Sequence, residues 1–291
     1  MPLKPHYSVV AVGAGPTGLM LANILGVERI ETLLLERNER TVSEPRAVSI
    51  DDESLRTIQS VGLADIVLGD IVQGYGSHYF SPSGRPFARV QPAAQEYGFP
   101  RRSAFRQPVL EAQLREGLRH YPHVEARFSH CLEQFEQDAD GVTLQVLGPE
   151  GTLQTTRCDF LVGCDGARSG VRERLGIAME GSTFSERWLI VDLLATPDRF
   201  RHTRVYCDPR RPAISLPGPN GTRRYEFMLH ADERDEDLLR EEVIRQMIGA
   251  RSMGDRDLQI ARKVVYAFHA RIAQRWQDNR IFLAGDAAHL S

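Results

Sequence analysis

Three glycines (Gly13, Gly15, Gly18), a carboxylate at Glu36, and the pairs Asp165–Gly166 and Gly285–Asp286 are the residues whose types and spacing could do chemistry. The glycines fit G-x-G-x-x-G. In that spacing the first glycine makes a tight turn, the second lets a pyrophosphate approach the backbone, and the third lets helix and strand pack closely. Pro16 suits the first helical turn, where its missing N–H costs nothing, and Thr17 stands beside it. A helix opening there offers unpaired N–H groups and a partial positive charge to phosphates.

Glu36 ends the second apolar run, Thr32 to Leu35, and Arg37 follows it. A carboxylate at that strand end can accept hydrogen bonds from both hydroxyls of an adenosine ribose and disfavours a 2′-phosphate. A lone glycine motif is a weak signal. With a strand before it, a helix after it and an acid on the next strand, it reads as dinucleotide binding, with FAD and NAD both open at this point.

Those residues need elements to hold them. Val9 to Val12 form a continuous apolar run, as a strand buried on both faces should. Leu19, Ala22, Ile24 and Leu25 lay the following helix on a sheet. Asp51 or Asp52 is a helix N-cap, followed by Leu55, Ile58 and Val61 and stopped at Gly62. "YGSHYFSPSGRPFARV" reads as two short strands around a Ser-Gly turn. A helix resumes at Pro108, with Leu110, Leu114 and Leu118 on one face.

Three consecutive strands follow, "CLEQFEQ", "VTLQVLG" and "TLQTTRCDFLVG", the middle one alternating Val142, Leu144 and Val146 with polar residues. The last runs to Cys164 and turns at Asp165–Gly166 into a short helix from Arg168 to Leu175. Asp-Gly is a common turn pair, but Arg168 and Arg172, one helical turn apart, favour an anion or cofactor surface. Residues 184–231 hold the short strands "RWLIVDLLA", "TRVYC", "PAISLPG" and "RRYEFMLH". A helix from Asp235 to Ile248 follows, and "ARKVVYAFHARIAQRW" leads into the final strand, Ile281 to Ala284.

The 291 residues can bury a sizeable core, and the net charge of −3 gives no case for nucleic acid or an anionic membrane as partner. Four cysteines show no CxxC pair and no metal-like spacing to histidine, which favours reduced thiols in a cytoplasmic protein and no metal. No stretch reads as a signal peptide or a membrane span.

GAGPTG with Glu36, CDGARSGVR and LAGDAAH, in that order, resemble the FAD-dependent aromatic hydroxylases, the single-component flavoprotein monooxygenases. The likeness runs along nearly the whole chain but covers about the first half of such an enzyme. It implies an α/β, Rossmann-like FAD-binding fold with an interleaved, mostly antiparallel β substrate domain. On that reading residues 1–75, 106–180 and 271–291 form the FAD-binding part, and 76–105 and 181–270 the substrate part.

Carried over residue by residue, Gly13, Gly15 and Gly18 would face the FAD pyrophosphate and Glu36 the ribose. Arg46 lies in a "PRA" segment that borders the flavin, and Gln107 matches a glutamine near the ribityl chain. Asp165 and Gly166 match a motif associated with FAD and reduced nicotinamide. Gly285 and Asp286 match the motif whose aspartate binds the ribityl hydroxyls. The resemblance implies hydroxylation of a small phenolic aromatic acid of the hydroxyphenylpropionate kind, in aromatic compound degradation. NAD(P)H and dioxygen would be consumed through a flavin hydroperoxide, with no side-chain nucleophile or base.

Tyr206, Arg211 and Tyr225 lie in the substrate layer and could bind phenol or carboxylate; a packed tyrosine or a surface arginine explains each equally well. A homo-oligomer is compatible with the sequence. In the family GDAAH is followed by a Pro- and Gly-rich loop and a helix, so the chain reads as an incomplete portion of a longer enzyme. The rivals are a naturally short flavin-binding protein, a non-catalytic FAD-binding module and a flavin-dependent oxidoreductase without hydroxylation.

Overall fold

A computed structural model of the chain describes residues 2–41 and 46–290. Its first sheet runs in the order Gln277–Asp278, Ile281–Leu283, Leu153–Gly163, His6–Val12, Thr32–Glu36, Val124–Phe128. His6–Val12 lies parallel to both Leu153–Gly163 and Thr32–Glu36, and Ile281–Leu283 is parallel to Leu153–Gly163. Parallel strands need long crossovers and cover on both faces, which is why their sequences are continuously apolar. Val10, Leu33, Leu34, Leu35 and Leu161 are accordingly fully buried.

Helices Pro16–Val27 and Gln107–Gly117 cover one face, packing Leu19, Ala22, Leu110 and Leu114 against Ala11 and Leu34. Buried Asn23 ties the two helices, donating from its Nδ2 to the carbonyls of Leu19 and Leu114 at 2.9 and 2.8 Å.

The expected three-strand meander is present as Cys131–Gln137, Val142–Leu147 and Leu153–Gly163, antiparallel in sequence order. Its third member serves three neighbours. Residues 153–158 pair antiparallel with Val142–Leu147, 157–163 pair parallel with His6–Val12, and 161–163 pair parallel with Ile281–Leu283.

The second sheet runs His289–Leu290, Ile260–Ala273, Met179–Leu193, Arg223–Met228, Ala213–Pro217, Thr203–Tyr206, Ser77–Phe80, Pro86–Val90. One face packs Leu189, Val191, Tyr225 and Phe227 against Ile244 and Ile248. "RWLIVDLLA" is only the later part of a 15-residue strand that begins at Met179. The expected boundaries at 180 and 270 therefore fall inside two long strands that pair with each other. A small third sheet joins Ser49–Asp51 and Val72–Gln73 to Arg102–Ala104, across the expected boundaries at 75 and 105.

The single helix expected over Asp235–Ile248 is two, Asp235–Leu238 and Glu241–Gly249. Arg240 takes an extended conformation between them (φ −68°, ψ 132°). The break lets both Leu238 and Ile244 reach the core, and an ion pair between Arg187 and Asp235 holds the first piece. Among the described residues no helix is long and apolar enough to cross a membrane.

Candidate flavin site

The parallel register puts Leu35, Val12, Gly163 and Leu283 abreast at the carboxyl ends of their strands. The residues that follow leave the sheet side by side. Glu36, the glycine turn, Cys164–Asp165 and Ala284–Gly285 thus meet at one edge, where ligands bind in open α/β sheets.

The turns touch. A Cβ built on Gly13 (φ +103°) would lie 2.4 Å from the Cys164 carbonyl oxygen, and one on Gly18 only 1.9 Å from the Gly13 carbonyl oxygen. One on Gly285 would lie 2.4 Å from Thr17 Oγ1, so the last turn rests on the first helix. Gly15 differs: nothing lies within 4 Å of its Cβ position. Two glycines of the motif are needed for packing, and the middle one leaves room.

Glu36 accepts hydrogen bonds from the backbone N–H of Ala14 at 2.8 Å and of Asn38 at 2.9 Å, which aims its carboxylate along the glycine turn. Arg37 beside it is exposed.

Asp165 has one oxygen committed and one not. Its Oδ2 accepts from Val171 N–H at 3.1 Å, while its buried Oδ1 has no hydrogen-bond partner. A buried unpaired carboxylate oxygen is costly unless a ligand or water completes it. Gly166 next to it (φ +81°) has open space over its Cβ position. Burial, with the Asp165 carboxylate adding to it, pushes the adjacent Cys164 thiol up to about 12, so it is no nucleophile at neutral pH.

Arg172 is not the surface cation that its spacing from Arg168 suggests. It is buried, and its guanidinium donates to the Ala287 carbonyl at 3.1 Å and the Ala167 carbonyl at 2.9 Å. It stitches the 165–166 turn to the 285–286 turn. Arg168 and Asp286 are exposed.

Gln107 opens the second covering helix. Its Oε1 accepts from Ala47 N–H at 2.9 Å and its Nε2 donates to Glu111 at 2.8 Å, fixing the segment that contains Arg46. The Arg46 side chain is exposed, while its carbonyl accepts from Arg224 Nη1 at 2.7 Å. Arg224 is itself buried and doubly bonded to Asp192 at 2.6 and 2.9 Å. The 46–48 segment therefore bridges the two sheets.

A cavity of about 100 Å³ opens at that bridge, lined among others by Val48, Phe105, Arg106, Asp192, Leu194 and Arg224. None of Tyr206, Arg211 and Tyr225 lines it. Tyr225 is fully buried in the other face of the sheet, with its hydroxyl donating to Asp255 at 2.7 Å. Burial first, then that acceptor, raises its phenol above the ordinary range. Arg211 pairs with Glu233 and donates to the Met228 carbonyl at 2.9 Å. Tyr206 lies under the Arg251 guanidinium, 5.1 Å from its ring centroid.

Sequence reasoning missed Arg106, Arg224 and Asp192. The signal was there in "RRYEFML", where Tyr225 and Phe227 alternate with charged Arg224 and Glu226, as on a strand with a polar second face.

The site fits an extended flavin dinucleotide. Open space stands at Gly15 and Gly166 for a close backbone approach, a carboxylate flanks the first turn, and an unpaired buried oxygen at Asp165 awaits a donor.

Residues 6–291 match the family model described as FAD binding domain. The chain is 41% identical over 291 residues to a 3-(3-hydroxy-phenyl)propionate/3-hydroxycinnamic acid hydroxylase of Klebsiella pneumoniae (strain 342), covering 99% of this chain and 52% of that protein. A hydroxylase of the same name from Mycobacterium sp. (strain JLS) is 42% identical over 282 residues, covering 97% and 49%. The chain thus spans about half the length of the curated relatives it matches.

Among solved structures, p-nitrophenol 4-monooxygenase PnpA from Pseudomonas putida DLL-E4 superposes with a TM-score of 0.87 at 26% identity, over 99% of this chain and 74% of that one. The flavin-dependent monooxygenase PieE, solved with FAD and substrate, gives 0.87 at 26%, over 100% and 54%. The α/β fold is that of these FAD-dependent monooxygenases. With the glycine turn, the acid beside it and the Asp165–Gly166 and Gly285–Asp286 turns meeting at one sheet edge, the chain belongs to the FAD binding domain family, and FAD is its cofactor.

Proposed function

We propose that this chain is the flavin-holding part of an aromatic hydroxylase that adds one oxygen atom to a phenolic acid resembling 3-(3-hydroxyphenyl)propionate. The convergence of three turns at the ends of adjacent parallel strands carries this reading, together with the names of the relatives. Bound FAD would supply the redox chemistry, in which phenol, dioxygen, NAD(P)H and a proton give diphenol, NAD(P)⁺ and water.

The chain's own residues position and enclose. Gly13, Gly15, Pro16, Thr17 and Gly18 would receive the pyrophosphate at the helix N-terminus, and Glu36 the ribose hydroxyls, with Arg37 near the adenosine. Asp165 and Gly166 would complete the pyrophosphate side, and Gly285 and Asp286 the ribityl side. Gln107, held by Ala47 and Glu111, would border the ribityl chain, and Arg46 the flavin edge. Arg106 lines the cavity with a guanidinium that has no hydrogen bond or ion pair among the described residues, which suits it to the carboxylate of an acidic aromatic.

The test is to purify the protein with bound flavin and follow NAD(P)H oxidation and product mass with 3-(3-hydroxyphenyl)propionate and dioxygen. A product one oxygen heavier, in step with NAD(P)H consumed, is expected. NAD(P)H oxidation with unchanged aromatic acid would replace this reading by a flavin oxidoreductase that does not hydroxylate.

A further inference from the structure

The second sheet has one face packed on helices, and its other face is ordered in rows. Strand pairing aligns Leu216, Arg224, Asp192 and Arg262 in one row. The next row is Ile214, Glu226, Ile190 and Val264, and the one beyond includes Met228, Trp188 and Tyr266. In the first row the charges are paired: Asp192 is bonded to Arg224, and Arg262 stands 3.8 Å from it. In the second row Glu226 is the lone polar group among isoleucines and valine.

Glu226 is half-buried, yet its carboxylate neither accepts a hydrogen bond nor forms an ion pair among the described residues. A carboxylate kept for stability would resemble Asp192, with its guanidinium. Glu226 instead has apolar side chains on both flanks and aromatic rings one row away. That is the setting for a flat, mostly apolar ligand with one hydroxyl to bond. The same face carries Arg224, which binds the Arg46 carbonyl and lines the cavity, so it adjoins the flavin site.

We propose that Glu226 accepts the hydrogen bond of the substrate's phenolic hydroxyl and takes its proton. The phenolic O–H bond breaks, its electron pair stays on the ring oxygen, and a new O–H bond forms on the Glu226 carboxylate. The ring gains the electron density that favours attack on an electrophilic oxygen. Burial raises the Glu226 carboxyl; Arg224 opposes this, Asp192 adds to it, and Arg102, across from the small sheet, opposes it. The net rise brings its basicity nearer to that of a phenol, which favours proton sharing. The inference rests on the phenolic-acid reading above.

The test uses a chromophoric phenol, 3-(3-hydroxy-4-nitrophenyl)propionate, whose phenolate band reports its own protonation, bound to the flavin-loaded protein. Next to an ionised carboxylate that accepts its hydrogen bond, and that takes the proton only as the ring is attacked, the bound probe should titrate about one unit or more above the free probe, because a second negative charge there is disfavoured. Glu226→Gln should bring that titration back to the free value, and Glu226→Asp should restore part of the rise. An equal rise in wild type and Glu226→Gln would overturn the role of Glu226 and leave the phenol site standing. No saturable binding by either protein would overturn the phenol reading itself. If Glu226→Gln fails to fold, the wild type decides through the methyl ether of the probe, which has no proton to give. Binding about tenfold weaker supports the proposal, and equal binding refutes it.

Discussion

Gly15→Ala and Gly18→Ala add the same methyl group three residues apart, and the structure assigns them opposite consequences. At Gly18 the new Cβ would lie 1.9 Å from the Gly13 carbonyl oxygen and 3.3 Å from Cys164 Cβ, so the helix must back away from the strand. Overpacking of this kind costs about 1–3 kcal/mol, here at the upper end because the clash is with backbone. Alanine's advantage in a helix offsets roughly 0.5–1 kcal/mol. The net loss of about 2 kcal/mol should lower the melting temperature of the flavin-free protein by roughly 4–8 °C.

At Gly15 the backbone is extended (φ −75°, ψ −176°), which alanine tolerates, and the Cβ position is open. The flavin-free protein should melt within about 1–2 °C of wild type, the change being a weaker helix cap of a few tenths of a kcal/mol. The methyl group would, however, stand where the pyrophosphate must approach. FAD affinity, followed by quenching of flavin fluorescence, should fall about tenfold or more, on the order of 1.4 kcal/mol. Two results would refute the reasoning. One is Gly15→Ala melting as low as Gly18→Ala; the other is Gly15→Ala holding FAD as tightly as wild type.

Arg172→Met removes two charge-assisted bonds and leaves the Ala167 and Ala287 carbonyls unpaired. It should cost about 3–5 kcal/mol in urea unfolding, and a loss below 1 kcal/mol would show that the stitch is dispensable. Asp165→Asn should leave the flavin-loaded protein folded and slow flavin reduction by NAD(P)H; a normal rate in stopped flow would make the turn purely structural. Tyr225→Phe takes a donor from fully buried Asp255 and should cost about 1–3 kcal/mol in a thermal melt. It should leave phenolic ligand affinity unchanged, so weakened binding would return Tyr225 to the substrate site. Arg211 holds the Glu233 carboxyl below the usual carboxylate range. A depressed carboxyl adds stability above its unfolded value, and that contribution is lost as pH falls through its folded value. The acid-side drop in melting temperature should therefore be shallower in Glu233→Gln, and unchanged slopes would count against the pair.

The strand ends and turns were legible because parallel strands and glycine turns write themselves locally. A continuous apolar run, a glycine spacing and a terminal acid all fall within thirty residues. The elements of the second layer were legible too, but not their lengths. Nothing local tells "RWLIVDLLA" that the strand begins at Met179, because residues 180–183 are mostly polar and gain their strand geometry from pairing with 269–272.

Arg172 shows the same limit in the site. Its sequence position beside a turn suggests an anion surface, and only the arrival of Ala287 from far along the chain makes it a buried tie. Tyr225 and Glu226 are neighbours that alternate between core and open face. Which of them looks inward depends on where the helices of residues 235–249 come to rest.

The strand Leu153–Gly163 is antiparallel to its predecessor and parallel to the chain's first strand, and this has a consequence for how the protein is made. During synthesis the hairpin with Val142–Leu147 closes at once, from local contacts. The first strand emerges long before its long-range partner: residue 9 waits for residue 160, and Gly163 in turn waits for Leu283. Contacts so distant in sequence form slowly because loop closure must precede any gain from pairing. For that interval the apolar edge of Val9–Val12 has only Thr32–Leu35 beside it, and is open to other chains. Yield in the cell should thus depend on chaperone supply and growth temperature more than on the final stability, since the vulnerable species is the nascent one.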